Sequence, residues 1–200
     1  MGSRMRGKFI NIEGLDGCGK STQVKLLARW LHSKGREVVI THEPTHGPVG
    51  RIIYNVIKGE FTVPVAFEAL LFAADRLQHV EDVITPAVKS GKVVINSRYT
   101  PSSIAYQSAR GIPVGWMRKI NEMAPEPDLT ILIDVPVEVS ARRMNGSRKL
   151  DAFDRNLKLQ RKVRQAYLDI SGPYQMKVVD GNRSVDEVQV DIRELVGAML

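Results

Sequence analysis

Short apolar runs alternate with amphipathic segments along most of the chain. Five runs rich in Val, Ile and Leu predict strands over residues 8–13, 37–41, 92–96, 129–134 and 176–179, the first of them short and buried. Helical spacing of the apolar positions between them predicts helices over residues 19–33, 49–58, 65–89, 102–109, 114–123, 136–144, 153–170 and 185–199. Strands that are apolar on both faces and alternate with helices form parallel sheets covered on both sides. We therefore expect an α/β three-layer sandwich, a five-stranded parallel sheet with helices on both faces, in one domain over residues 1–200.

The composition is that of a soluble globular protein. Of the 200 residues, 43% are hydrophobic and 26% charged, so neither a disordered nor a low-complexity chain fits. No uncharged apolar run approaches the ~20 residues of a membrane-spanning helix, so no membrane partner is expected. Cys18 is the single cysteine, which excludes an intramolecular disulfide and agrees with a reducing, cytoplasmic location. We expect residues 1–7 to be a disordered start or a cloning scar.

The positive charge is concentrated in one segment. The chain carries 29 basic and 22 acidic residues, a net charge of +7, and residues 141–165 hold nine of the basic but only two of the acidic ones. Such a segment suggests a polyanionic partner, and both nucleic acids and nucleotide phosphates are candidates. A solvated helix face is the simpler alternative.

Residues 14–21 read GLDGCGKS, a complete G-x-x-x-x-G-K-S/T phosphate-binding loop between a predicted strand and a predicted helix. Its glycines let backbone N–H groups surround a phosphate, and the following helix adds the positive end of its dipole. Lys20 would reach the β and γ phosphates, and the Ser21 hydroxyl would ligate Mg²⁺. Cys18 is interpreted as a small residue that contributes only its N–H. The predicted ATP-binding residues of this segment are Gly14, Leu15, Asp16, Gly17, Cys18, Gly19, Lys20, Ser21 and Thr22.

Three classes of P-loop protein compete for this motif. A GTP-driven switch is disfavoured because no guanine-reading N-K-x-D sequence occurs. A nucleic-acid-dependent ATPase would end a hydrophobic strand in adjacent acids, but Asp134 is followed by Val135 and Pro136. A small-molecule kinase needs a basic segment that closes over the transferring phosphoryl group, and residues 141–165 provide one.

Several motifs together resemble thymidylate kinase, from Phe9 to about Val188. They are the phosphate loop with its acid at Asp16, THEP at 41–44 with GPVG at 47–50, LFAADR at 71–76, SRY at 97–99 with SIAYQ at 103–107, and DVP at 134–136 before a mobile lid at about 144–152. The resemblance implies a single-domain P-loop kinase that transfers the γ-phosphoryl of ATP to dTMP, giving dTDP and ADP on the way to dTTP. It further implies Mg²⁺ as cofactor and a homodimer.

The resemblance also implies a role for each residue of the acceptor site. Phe72 would stack on thymine, and Arg76 would donate to thymine O4. Arg98 would bind the dTMP phosphate, Asp16 would accept the 3′-hydroxyl, and Tyr106 would pack under the ribose and disfavour a 2′-hydroxyl. The alternatives are that Phe72 is a core residue and that Arg76 forms an exposed salt bridge. The other implied acceptor-site residues are Pro44, Arg51, Ser103 and Gln107.

Two departures from the family concern the acceptor side and the metal. The family usually has Asp where this chain has Ser97, so the metal would depend on Ser21, phosphates and water. The family commonly has an arginine at the position of Tyr54, and Arg51, one turn earlier, is the nearest substitute.

The third departure concerns the cation that stabilises the transition state. The phosphate loop contains no arginine, so the lid would supply one, and Arg148 is the candidate donor. Arg142 and Arg143 precede the lid, and one of them would lie over adenine and its ribose; a solvated face is the alternative for both.

We therefore predict a dTMP kinase whose catalytic residues are Asp16, Lys20, Arg98 and Arg148, with dTMP and ATP as partners and no nucleic acid. The alternatives are a kinase for another nucleotide or nucleoside, and a nucleic-acid-binding P-loop ATPase.

Overall fold

The fold is built on a five-stranded sheet, as a computed structural model covering residues 7–144 and 156–200 shows. The strands are β1 Lys8–Glu13, β2 Val38–His42, β3 Val93–Ser97, β4 Leu129–Asp134 and β5 Lys177–Asp180. Their order is β2-β3-β1-β4-β5, and every neighbouring pair is parallel. The predicted five-stranded parallel sheet is confirmed.

Helices connect the strands. They are α1 Lys20–Ser33, α2 Pro48–Lys58, α3 Val65–His79, α4 Thr85–Lys89, α5 Thr100–Ser108, α6 Val114–Ile120, α7 Val137–Met144, α8 Leu157–Ser171 and α9 Val185–Gly197. Within the described residues, none of them combines the length and the apolar composition needed to cross a bilayer.

Both faces of the sheet are covered, as the apolar strands predicted. Ile10 and Ile12 of β1 point to one face, where they join a core with α1 and α9. Phe9, one residue out of phase, points to the other face and packs in a core with α4 and Tyr99. A third core on that face joins β4 to α5 and α8. The helices on both faces confirm the predicted three-layer architecture.

The long helix predicted over residues 65–89 is not one regular α-helix. A π-helical segment, Val80–Ile84, separates α3 from α4. Pro86 lies in the first turn of α4, and proline cannot donate the hydrogen bond that would continue the i to i−4 ladder through this point. The wider turn keeps the chain helical across the interruption.

Two expectations fall largely outside the described residues. The lid at about 144–152 is one: Met144 is the buried last residue of α7, and residues 145–152 are not described. The other is the start of the chain, of which Gly7 is described; its N–H donates to the Val88 carbonyl at 3.2 Å.

Candidate active site

The phosphate loop lies at the carboxyl ends of the parallel strands, where open α/β sheets place their ligands. It connects β1 to α1, and its backbone requires glycine at two positions. Gly14 has φ 139°, and a Cβ there would lie 2.5 Å from the Ile133 carbonyl oxygen. Gly17 has φ 74°, and a Cβ there would lie 2.6 Å from the Ser140 carbonyl oxygen. The loop therefore packs against β4 and α7 at a distance that no larger residue allows.

Lys20 places its ammonium group inside this loop. Its Nζ donates to the carbonyl oxygens of Gly14 at 2.9 Å and Leu15 at 2.7 Å. Burial lowers the pKa of Lys20, and the nearby Arg98 cation lowers it further. Cys18 is buried, and its N–H donates to the Leu15 carbonyl. Ser21 and Thr22 are exposed in the first turn of α1, where a hydroxyl can reach a ligand held by the loop.

Arg98, directly after β3, has a left-handed backbone with φ 70°. Three hydrogen bonds fix the peptide groups around it. Its N–H donates to the Ile12 carbonyl at 3.1 Å, its carbonyl accepts from Asn96 Nδ2 at 2.8 Å, and the N–H of Tyr99 donates to Glu13 Oε1 at 2.7 Å. A strained conformation of this kind persists only where the surroundings determine it, and such positions concentrate at functional sites.

The Arg98 guanidinium extends from this backbone towards the phosphate loop. Its Nη2 lies 2.8 Å from Asp16 Oδ1, and its Nη1 donates to Ser102 Oγ at 3.3 Å. The group also lies over the Tyr106 ring, 5.1 Å from its centroid. Burial alone would lower the pKa of Arg98, but the Asp16 carboxylate and the neighbouring tyrosine hydroxyls hold it well above its usual value. The site therefore keeps a permanent cation between the phosphate loop and α5.

Glu13, the last residue of β1, is fully buried and accepts four hydrogen bonds. The donors other than the Tyr99 N–H are Asn11 Nδ2 at 2.9 Å, Ser102 Oγ at 2.6 Å and the Tyr167 hydroxyl at 3.0 Å. Burial and the Glu13 charge raise the pKa of Tyr167 well above its usual value, so this hydroxyl stays protonated and remains a donor.

A cavity opens between the phosphate loop, α3 and α5. Its lining consists of Asp16, Glu43, Pro44, Ile57, Glu68, Phe72, Arg76, Arg98, Tyr99, Ser102, Ser103, Tyr106 and Gln107. The fold thus brings all but one of the residues assigned to the acceptor site around one space. Phe72 is half-buried in the cavity wall, not sealed in a core.

Arg76 is 1% exposed, so the expected alternative of an exposed salt bridge is wrong. Its Nη2 lies 2.7 Å from Glu43 Oε2 and donates to Ser103 Oγ at 3.0 Å, while its Nη1 donates to Asn121 Oδ1. Nε is buried and has no hydrogen-bond partner among the described residues.

Gln107 forms the adjoining polar wall. Its Nε2 donates to Glu68 Oε1 at 2.9 Å, and Arg110 Nη1 also donates to that carboxylate, at 2.6 Å. The Gln107 Oε1 atom is buried and has no hydrogen-bond partner within the described part of the chain. Arg76 and Gln107, which both line the cavity, thus each carry a buried polar atom without a partner among the described residues, a donor on Arg76 and an acceptor on Gln107.

Arg51 is the acceptor-site residue that the structure does not bring to the cavity. It is exposed on α2, and its Nη1 donates to the His46 carbonyl at 3.3 Å. Tyr54 lies closer: its hydroxyl donates to the carbonyl of Pro44 at 2.9 Å, and its ring stacks on His46. The expectation that Arg51 takes the role of the arginine that the family commonly has at the position of Tyr54 thus has no support from the contacts.

The basic segment is partly neutralised within the protein. Arg164 Nη2 lies 2.7 Å from Asp134 Oδ2, and Arg161 Nη2 lies 2.7 Å from Glu138 Oε1. Arg143, exposed at the end of α7, donates from Nη1 to the Cys18 carbonyl at 3.4 Å and from Nη2 to the Gly181 carbonyl at 3.1 Å, beside the phosphate loop.

Arg142 is exposed. Arg148, the candidate cation of the lid, lies outside the described residues.

Sequence reasoning assigned no role to Glu43, Glu68, Ser102 or Asn121. Glu43, Glu68 and Asn121 each hold a predicted site residue from a segment remote in sequence: Asn121 lies 45 residues from Arg76, for example. Ser102 is only four residues from Arg98, which it holds from the first turn of α5. The available signal was that Glu43 is an acidic residue inside the THEP motif.

Comparison with known proteins agrees with this geometry. A family model described as thymidylate kinase matches residues 12–192. A "Probable thymidylate kinase" of Pyrococcus abyssi is 48% identical over 198 residues, and one of Pyrococcus horikoshii is 46% identical over 198 residues; each alignment covers 96% of this chain and 97% of the relative. A "Thymidylate kinase" of Desulfotalea psychrophila is 41% identical over 187 residues, which cover 93% of this chain and 92% of that protein. The chain belongs to the thymidylate kinase family.

Proposed function

We propose that this enzyme transfers the γ-phosphoryl group of ATP to dTMP, giving dTDP and ADP. The observation that supports dTMP as the acceptor is a pair of buried atoms without a partner on two residues that line the cavity, the Arg76 Nε–H donor and the Gln107 Oε1 acceptor. Thymine presents the complementary pair, the O4 acceptor next to the N3–H donor. Cytosine presents an amino donor and a bare N3 in the same places, so both contacts would be lost and buried polar groups left unpaired.

The remaining cavity residues fit the rest of the nucleotide. Phe72 stacks on the base from α3, and Tyr106 packs under the ribose from α5. Arg98 binds the dTMP phosphate, for which a bidentate guanidinium is suited. Asp16, already within 2.8 Å of Arg98, accepts the 3′-hydroxyl. Pro44 and Ser103 complete the walls.

The donor nucleotide is held by the phosphate loop. Its backbone N–H groups and Lys20 bind the β and γ phosphates, and Arg142 or Arg143 lies over adenine and its ribose. Arg148 supplies the cation that stabilises the transferring phosphoryl group, since the loop itself has no arginine. A phosphate acceptor is already ionised at neutral pH, so no general base is required.

The residues present fit a Mg²⁺ ion that is bound mainly by the substrate. The described residues contain no cluster of three or more His, Cys, Asp or Glu that could hold a metal, and Asp134 is engaged by Arg164. One exposed hydroxyl, Ser21, is the protein ligand, because Mg²⁺ in such sites keeps waters and binds substrate phosphates. The ion would neutralise charge on the β and γ phosphates.

We further propose a homodimer through α3. Phe67, Leu70 and Leu77 follow one another at helical spacing along α3 and are 49%, 49% and 40% exposed. Ile52 on the adjacent α2 is 41% exposed. A row of large apolar side chains on a face that borders the acceptor cavity is typical of a subunit interface.

We infer a cytoplasmic enzyme whose partners are nucleotides and not nucleic acids. The single buried cysteine suits a reducing compartment. Part of the basic segment is paired with Asp134 and Glu138, which reduces the charge available to a duplex.

An acceptor panel tests the proposed function. ADP release from ATP is measured with dTMP, dUMP, dCMP, UMP and thymidine as acceptors. We expect turnover with dTMP far above that with dCMP, and higher turnover with dUMP than with UMP. Equal use of dCMP and dTMP would leave only the broader assignment of a nucleotide kinase, and tight, salt-sensitive duplex binding without dTMP turnover would favour the nucleic-acid-dependent ATPase.

A further inference from the structure

A row of buried polar side chains continues behind Arg76, away from the cavity. Glu43 Oε2 faces Arg76 Nη2 at 2.7 Å, Glu43 Oε1 faces His79 Nδ1 at 3.1 Å, and His79 Nε2 faces Thr41 Oγ1 at 2.7 Å. His79 and Glu43 are 3% and 4% exposed. The row thus links a strand residue, Thr41 of β2, to the guanidinium that lines the cavity.

The hydrogen bonds of the row have a defined direction at Glu43. A carboxylate only accepts, so His79 Nδ1 carries the hydrogen and donates to Oε1. Nε2 then pairs with the Thr41 hydroxyl, which can either donate or accept. The imidazole is therefore held at both nitrogens, between Thr41 and Glu43.

The two oxygens of Glu43 are held by one face of α3. Arg76 and His79 are three residues apart and lie on the same side of the helix. His79 Nδ1 is the hydrogen-bond partner of Oε1, whereas Oε2 faces Arg76 Nη2 in an ion pair and has no hydrogen bond among the described residues, so the His79 contact is the one that orients the carboxylate. The carboxylate lies on one side of the guanidinium, which Ser103 and Asn121 hold by hydrogen bonds from other sides. Among the described residues, Nε is the guanidinium nitrogen that has no partner.

We propose that His79, held by Thr41, is a positioning residue for base recognition: it fixes the Glu43 carboxylate, and through it the Arg76 Nε–H that meets thymine O4. The proposal rests on the proposed function, since it assigns how the same cavity discriminates its base. Without the His79 contact, Glu43 and the guanidinium can turn together, and the donor loses its alignment with O4.

The test measures kcat/KM for dTMP and for dCMP, together with KM for ATP, in His79 variants. His79→Asn keeps an amide donor at the position of Nδ1, whereas His79→Gln places its amide near Nε2 and His79→Leu has no donor. We expect the dTMP-to-dCMP ratio to fall roughly tenfold in the Gln and Leu variants, as for one misaligned buried hydrogen bond, with KM for ATP unchanged. The Asn variant should stay within about threefold of the wild type.

Thr41→Val provides a second, milder perturbation that preserves the shape of the strand residue, and Thr130→Val in β4 is its matched control away from the cavity. The ratio should fall in Thr41→Val and not in Thr130→Val. An unchanged dTMP-to-dCMP ratio in His79→Leu overturns the proposal. If His79→Leu fails to fold, an unchanged ratio in Thr41→Val overturns it instead. The proposal is also overturned if the ratio falls as far in His79→Asn as in His79→Leu. A wild type without dTMP turnover overturns the proposed function and this inference together, whereas dTMP turnover with an unaltered ratio in the variants overturns the inference alone.

Discussion

At the scale of single residues, the proposed base recognition depends on which polar atoms of each side chain are not already paired within the described part of the protein. The terminal nitrogens of Arg76 contact Glu43, Ser103 and Asn121, and Nε is the guanidinium nitrogen that has no partner among the described residues. Gln107 gives its amide nitrogen to Glu68 and retains its oxygen. Internal partners thereby fix which polar atoms a ligand meets, and an isolated Arg or Gln would not discriminate in this way.

Gln107→Met tests the acceptor half of this pair. Methionine fills a similar volume but cannot accept from the thymine N3–H, so a buried donor of the ligand is left unpaired at a cost of about 1–3 kcal/mol. We expect kcat/KM for dTMP to fall roughly tenfold to a hundredfold and the preference over dCMP to narrow. Gln189→Met, a buried glutamine of α9 that does not line the cavity, is the control and should leave both values close to the wild type. A Gln107→Met enzyme with wild-type kcat/KM would remove Gln107 from base recognition.

Arg148→Ala tests the transition-state cation. A contact that strengthens only as charge redistributes should affect kcat far more than KM, and arginines in this role contribute ~10³–10⁵ in rate. We expect a loss of kcat of that order, measured by steady-state kinetics, with Lys149→Ala as the neighbouring control. Near-normal kcat in Arg148→Ala would transfer the role to Arg142 or Arg143.

Motifs predicted which residues reach the cavity, because a phosphate loop or a helix face determines the position of its own side chains. They could not predict the partners that hold those residues. Glu43, Asn121 and Glu68 come from segments whose contact depends on how helices pack, and Arg51 was assigned by proximity in sequence although Tyr54 lies nearer the site. The spacing of residues along the sequence indicates neither how the helices pack nor whether Arg51 or Tyr54 lies nearer the cavity.

At the scale of elements, the end of β1 joins the sheet to two helices. Glu13 accepts from the first turn of α5 through Ser102 and from α8 through Tyr167, and it also binds the backbone after β3 through the Tyr99 N–H. The same carboxylate therefore stabilises the packing of α8 and the left-handed turn at Arg98. Stability and the geometry of the site are coupled at this point.

Tyr167→Phe removes one hydroxyl from this network and little volume. The hydroxyl pairs with Ser102 Oγ at 2.6 Å and with the Glu13 carboxylate at 3.0 Å, and hydrogen bonds to charged groups contribute about 1.5–3 kcal/mol. We expect the free energy of unfolding, from urea denaturation, to fall by about that amount. Tyr174→Phe removes a half-buried hydroxyl outside the network, whose partner Arg118 is exposed to solvent, and should cost less. A loss in Tyr167→Phe no larger than in Tyr174→Phe would mean that Glu13 does not stabilise the fold through α8.

Most elements could be predicted because strands buried on both faces are continuous apolar runs and the helices are amphipathic. The boundary of β4, Leu129–Asp134, matches its prediction. The π-helical segment Val80–Ile84 could not be predicted as such, since the apolar pattern continues through it and only Pro86 marks the interruption. The topology, with β1 between β3 and β4, also depends on non-local pairing.

At the scale of the whole molecule, α3 connects the acceptor site to the proposed subunit interface. One side of the helix carries Phe72 and Arg76 into the cavity, and another exposes Phe67, Leu70 and Leu77. A partner packed on that row would restrict the helix that carries the proposed base-recognition residues.

Leu70→Glu tests the proposed dimer. A charge at the centre of an apolar interface must be desolvated without a partner, which disfavours association. By size-exclusion chromatography with light scattering we expect a dimer for the wild type and a monomer for Leu70→Glu. Val190→Glu, at an apolar position of α9 that is 52% exposed, should remain dimeric. A monomeric wild type, or a dimeric Leu70→Glu variant, would contradict the α3 interface.

The central claim is that the cavity between α3 and α5 reads the Watson–Crick edge of thymine. The most direct test is a crystal structure of the enzyme with dTMP bound. We expect thymine O4 at about 3 Å from Arg76 Nε, N3 at about 3 Å from Gln107 Oε1, and the ring stacked on Phe72. A thymine ring outside this cavity, or one that turns another edge towards Arg76 and Gln107, would contradict the claim.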